Sequence, residues 1–210
     1  MLFRSLVRSF RAGYPGAGFE LIVVRDELDL VALDGGNADL EIGSRRFPDV
    51  AVRTERLALE PLRLALPREH RLAGRQRVRL AEAAGEPFIG LRPTSALRKL
   101  TDDLCEAAGF RPDVVFEGDD LSNVRGFVAA GLGLAVVPAP RAGSAEAAPG
   151  PVVHREIEDP GAVREICLTW SSDRRLLPAA EEFRRHALRR AASGRLPAVA
   201  ELRPVQVEER

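Results

Sequence analysis

Twice along this chain a short helical stretch runs into glycine and then into a brief strand pattern. The first instance is DGGNADLEIG, residues 34–43, and the second is FVAAGLGLAVVP, residues 127–138. The surroundings of the two stretches match in order. The first half reads helix, FELIVV, helix, GGNADLEIG, VAVRTERL, LRLALP; the second reads helix, DVVFEG, helix, AAGLGLAVVP, VVHREI, EICLTW. Short apolar strands alternating with helices bury a parallel-rich sheet under helices, so each half predicts an α/β lobe. The second half has one strand more, PFIGL, ahead of its first helix. The first half opens inside the corresponding helix, and its lobe is therefore expected to lack its first strand.

Individual elements follow from spacing. Leu2, Leu6 and Phe10 recur at helical intervals until Gly13 and Pro15 stop them. Residues 19–24, 38–43, 50–57 and 62–67 have strand character, with a short helical segment at 28–33. In the second half, 78–85 predicts a turn or two of helix and 87–91 a strand. Thr94 or Ser95 then caps a helix to 108, with Leu97, Leu100 and Leu104 on one face. Residues 113–118 are a strand, and Asp119, Asp120 or Ser122 caps a helix to 130. The nearly all-apolar 132–138 has the pattern of a parallel strand covered on both faces. Strands at 152–157 and 165–170 and a helix over 176–192 complete the order, and residues 201–210 read as a flexible tail.

The glycines of 127–138 do not cradle phosphate. A dinucleotide loop needs strand, glycines, helix, and here the helix comes first. Gly131 reads as the helix stop and Gly133 as a close approach into the strand.

Composition removes other classes. Thirty-one acidic residues balance 31 basic ones, so nothing electrostatic favours nucleic acid. The longest apolar run is shorter than the roughly 18 residues of a membrane-spanning helix, and the amino terminus has no signal-peptide pattern. Cys105 and Cys167 stand too far apart in sequence for a metal knuckle and form no disulfide framework, so a reduced cytoplasm is the expectation. His70, His154 and His186 fall in a loop, a strand and a terminal helix without ligand spacing, and no G-x-S-x-G elbow is present. We expect no catalytic residue, no metal and no cofactor.

Six stretches carry a resemblance: RSFRAGYPGAGFELIV (8–23), DGGNADLEIG (34–43), LALEPLRLALPREHRLAG (57–74), EPFIGL (86–91), CEAAGFRPDVVFEG (105–118) and FVAAGLGLAVVP (127–138). Their order and spacing resemble the effector-binding domain of LysR-type transcriptional regulators, over about residues 3–190. Where that family usually shows His-Pro-Leu-Ala, this chain has His70-Arg71-Leu72-Ala73. The resemblance implies a two-lobe, periplasmic-binding-protein-like α/β fold of type 2, with two strands crossing between lobes, LRLALP and EICLTW. Lobe I would be 1–62 plus 168–200 and lobe II 63–167, with an effector cleft between them. The family's amino-terminal helix-turn-helix, through which it reads DNA, has no counterpart here.

The resemblance also suggests site residues. Thr94 and Ser95 open a helix after PFIGL, where free N–H groups and the helix dipole suit an anion, and Arg92 adds charge. Either residue could instead act only as a cap. Asp120 and Ser122, beside Asp119, Leu121 and Asn123, begin the next helix; two carboxylates there could simply complement its dipole. Ser44 and Arg45, with Arg46, follow the ADLEIG strand. The expected function is non-enzymatic sensing of a small organic effector, an acid among the candidates, by a cytoplasmic homodimer. Two alternatives stand beside it: a stand-alone solute-binding protein of the same fold, and a truncated dimerisation fragment without effector binding.

Overall fold

The computed structural model describes residues 2–22, 33, 36–44, 51–140, 143–144, 147–194 and 196. Among them the chain runs through α1 (Leu2–Gly13), β1 (Glu41–Gly43), β2 (Val52–Pro67), β3 (Arg77–Val78), a 3-10 turn (Leu80–Ala83), β4 (Pro87–Leu91) and α2 (Ala96–Ala107). It continues through β5 (Asp113–Gly118), α3 (Leu121–Ala129), β6 (Ala135–Pro138), β7 (Val152–Ile157), β8 (Val163–Ser171) and α4 (Pro178–Ala192). The chain divides into two compact units. One takes the residues up to Leu59 and resumes at Glu165; the other is built from Glu60–Arg164. The chain thus changes unit within β2 and again within β8, so these are the two crossover strands of a two-lobe, periplasmic-binding-like α/β fold.

In the first unit, α1 turns Leu6 and Phe10 inward, as their separation of one helical turn requires. Phe10 meets Phe183 of α4 edge-on at 5.3 Å. Around them gather Leu57, Leu168, Trp170 and Ala187, all buried. β1 pairs antiparallel with β8, Glu41 opposite Thr169 and Gly43 opposite Cys167.

The second unit is built on β2 and the parallel pair β4–β5. β7 runs antiparallel to β2, and β3 parallel to β7. Leu62, Leu64 and Leu66 of β2 are fully buried with Phe88, Leu80 and Leu134. Each leucine fully removed from water stabilises the unit by roughly 1.5–3 kcal/mol, an upper figure because unfolded chains are partly collapsed.

Four expectations need correction. Residues 19–22 were expected to begin a strand but are in no strand, while 23 and 24 lie outside the described residues. The segment at 28–33 also lies outside them except for Leu33, which is helical and buried. The strands expected at 50–57 and 62–67 are one continuous strand, β2. Pro61 does not break it, since an extended chain accommodates proline and the Pro61 carbonyl accepts the Ala139 N–H at 2.9 Å. The helix expected over 78–85 is a single 3-10 turn preceded by β3.

The fourth correction concerns the apolar segment before Pro138. β6 is antiparallel to β2, with Leu62 opposite Pro138 and Ala65 opposite Ala135. Only Leu134, just ahead of β6, makes a parallel bridge, to Phe88 of β4. Covering on both faces holds, because all four β6 residues are buried. Gly133 makes the approach possible: a Cβ there would lie 2.6 Å from the Pro87 carbonyl oxygen. Gly131, at φ 77°, is the turn that ends α3.

Candidate functional site

Within the second unit, β4 and β5 lie parallel and end together, Leu91 opposite Gly118. Each strand leads into a helix, so the amino-terminal ends of α2 and α3 lie beyond the same edge of the pair. This is where open α/β sheets present backbone N–H groups to ligands. Arg92 and Asp119, the first residues past the two strands, form an ion pair through Nε and Oδ1. Both are exposed, so the pair contributes little to stability, but it ties the two strand ends together.

The two helix starts differ. Asp120 caps α3, its Oδ1 accepting the N–H groups of Ser122 at 2.8 Å and Asn123 at 2.9 Å. Its carboxylate therefore serves the helix, and Ser122 stands exposed in the first turn. Ser95 occupies the capping position of α2 with extended backbone, yet its side chain makes no capping hydrogen bond. No acidic residue occupies the first turn of α2 either. The start of α2 is thus a dipole end without an anionic cap of its own.

Arg98 lies beneath this edge and escaped the sequence reading. Only 14% of its side chain is exposed. It donates to the Leu91 carbonyl at 3.0 Å, to Glu117 at 2.9 Å and to Asp102 at 3.1 Å. Burial alone would lower its pKa; the hydrogen bond to Glu117 and the charge of Asp102 outweigh that and raise it. Arg98 therefore stays charged and pins α2 to the ends of β4 and β5. Gly90 makes room, since a Cβ there would sit 3.2 Å from the Arg98 side chain. Two signals were present in the sequence: the i,i+4 pair Arg98–Asp102 and a glycine inside a strand.

The remaining candidates are dispersed. Ser44 belongs to the first unit, half-buried in the bend after β1. Arg45 and Arg46 lie outside the described residues. Cys105 and Cys167 are buried thiols outside any disulfide. Burial pushes the Cys105 thiol up to about 12, helped by the charges of Asp102 and Asp159, so it is no nucleophile at neutral pH. Among the described residues no cluster of His, Cys, Asp and Glu could hold a metal ion, and no helix is long and apolar enough to cross a membrane.

A family model described as LysR substrate binding domain matches residues 1–192. The uncharacterized HTH-type transcriptional regulator YybE of Bacillus subtilis (strain 168) is 32% identical over 187 residues, 89% of this chain and 63% of that protein. The chain therefore spans less than two thirds of that relative's length. Among solved structures, the C-terminal domain of a probable LysR family transcriptional regulator from Rhodococcus sp. RHA1 superposes with a TM-score of 0.77 at 28% identity. That match covers 88% of this chain and 90% of the other. The effector binding domain of QuiR, in complex with shikimate, shares the fold with a TM-score of 0.83 at 22% identity, covering 91% and 90% of the two chains.

Proposed function

The chain belongs to the LysR substrate-binding-domain family, and from that premise we propose that the uncapped start of α2 is where it holds the negative charge of a small carboxylate effector. As the family's effector-sensing module the chain is a ligand-binding protein and not an enzyme. One observation carries the reading of the site. Of the two helices that begin at the β4–β5 edge, α3 is capped by its own carboxylate and α2 is not. A bound carboxylate would accept the free N–H groups of the first turn of α2, with the hydroxyls of Thr94 and Ser95 and the charge of Arg92 beside it. The carboxylic acid in the QuiR structure supports this choice of ligand class.

Thermal denaturation with a panel of aliphatic and aromatic carboxylic acids tests the proposal. At a hundred times its dissociation constant, a bound acid adds about 2.7 kcal/mol, a readily measured rise in melting temperature. Ser95→Asp supplies an internal anion at the same place. We expect this variant to fold at least as stably as the parent and to lose the ligand response by tenfold or more. If no acid stabilises the parent, or if Ser95→Asp responds as the parent does, the assignment fails.

The homodimer and cytoplasmic residence belong to the same proposal, the latter supported by two cysteines that form no disulfide. Operator DNA is expected to be ignored by this chain alone, given its balanced charge; a gel shift at low salt checks that.

A further inference from the structure

A different concave surface lies wholly within the first unit. Arg53 of β2, Trp170 of β8, and Ser172, Arg174, Glu181 and Arg184 line a depression of about 270 Å³. Three guanidinium groups face one carboxylate, leaving two positive charges in excess. Arg184 is matched: it forms a two-pronged pair with Glu181, at 2.8 and 2.7 Å, and lies 4.8 Å above the centre of the Trp170 ring. Arg174 is held by neutral groups, donating to the carbonyls of Gly36 at 3.1 Å and Ala38 at 2.8 Å. Among the described residues it also makes a long ion pair, to Asp39 at 3.9 Å. Arg53 has no partner among the described residues.

Gathering an anchored and an unpartnered guanidinium in one depression is unfavourable unless an anion offsets their repulsion. The planar fork of arginine suits oxyanions with two acceptor oxygens. The surroundings already hold a negative charge strongly: hydrogen bonding to Arg184, against the opposing effect of burial, brings the Glu181 carboxyl down to about 2. We propose that this surface binds a small dianionic oxyanion, of the phosphate or dicarboxylate class, through Arg53 and Arg174. It shares no residue with the helix-start site of the second unit and does not depend on it.

Trp170 is the only tryptophan in the chain, and it lines this depression, so its fluorescence reports on this surface directly. The whole chain is titrated with sodium phosphate and, separately, with succinate, at constant ionic strength maintained with sodium chloride. A saturable change in Trp170 emission is expected with at least one of the two. Saturation by phosphate alone assigns a tetrahedral anion, and saturation by succinate alone a dicarboxylate. Arg53 is exposed on its strand, so Arg53→Gln should fold normally, which circular dichroism and melting verify. Loss of one charge-assisted hydrogen bond should weaken binding about 10- to 100-fold, with Arg53→Lys retaining part of it. Ser95→Asp should leave the titration unchanged. The proposal is overturned if neither anion gives a saturable change, if sodium chloride alone reproduces it, or if Arg53→Gln titrates like the parent.

Discussion

Three apolar stretches of similar composition, PFIGL, DVVFEG and FELI, meet three different fates. Phe88 and Ile89 of β4 are 1% and 2% exposed, with β5 hydrogen-bonded on one side and Leu134 bridged on the other. Among the described residues β5 pairs with β4 alone, and its Val115 and Phe116 remain 44% and 41% exposed. Residues 19–22 are in no strand, and Leu21 is 62% exposed. Burial follows the number of strand neighbours and not apolarity. A stretch whose backbone is paired on both edges is held against the layers that cover it, whereas an unpaired one must leave its N–H and C=O groups near water and its side chains with them.

The largest test of that contrast removes equivalent side chains from the two settings. Leu64→Ala, in the fully buried β2 of the second unit, should cost roughly 2–5 kcal/mol in denaturant unfolding, because the close-packed surroundings cannot collapse onto the space. Leu21→Ala should stay within about 0.5 kcal/mol. Equal losses at both positions would mean that the exposed stretch is packed against something in solution.

A smaller effect separates the two helix starts of the second unit. Asp120→Ala removes a cap that accepts two N–H groups and should cost about 1 kcal/mol, whereas Ser95→Ala, with no capping hydrogen bond to lose, should be close to neutral. Unfolding curves of the two variants compare them directly, and a Ser95→Ala loss as large as that of Asp120→Ala would show that α2 is capped after all.

The smallest expected effect is a pH dependence in the first unit. His186 of α4 accepts or donates to the Ser9 hydroxyl at 2.8 Å. Burial, reinforced by the charges of Arg190 and Arg189, holds its pKa below the ordinary 6.5. The unfolded chain therefore takes up the proton first. The contribution of His186 is fully present above about pH 6.5 and is lost as the pH falls through the lower, folded value. Unfolding measured between about pH 7.5 and pH 5.5 should show a decline that His186→Gln flattens. An unchanged slope in the variant would assign the decline to other groups.

How far the sequence could be read follows from the range of the forces involved. α1, α2, α3 and α4 were legible because helical spacing, glycine stops and capping residues are local signals within one or two turns. PFIGL, DVVFEG, VVHREI and EICLTW were legible as strands for the same reason. The union of two strands into β2 was not, since whether Pro61 interrupts depends on the distant Ala139 that bonds to its carbonyl. The antiparallel pairing of β6 with β2 was equally hidden, because a strand's apolar pattern reports that it is covered and not by which neighbour. At the site, the polar residues at the helix starts could be named from position alone. That Asp120 caps while Ser95 does not, and that Arg98 locks the edge from below, depends on side-chain directions.

By itself, then, the sequence determined the helices α1 to α4 and most of the strands of the second half, the two-lobe α/β plan, and the role of the paired glycines in FVAAGLGLAVVP as turn and close approach. Each of these rests on backbone preference and periodicity, which act between near neighbours. Tertiary structure decided which strands pair, which apolar residues reach water, which of the two helix starts carries a carboxylate cap, and that Arg53 lacks a partner among the described residues. Those outcomes depend on contacts between residues far apart in the chain, where hydrogen-bond geometry and burial, and not local propensity, choose the winner.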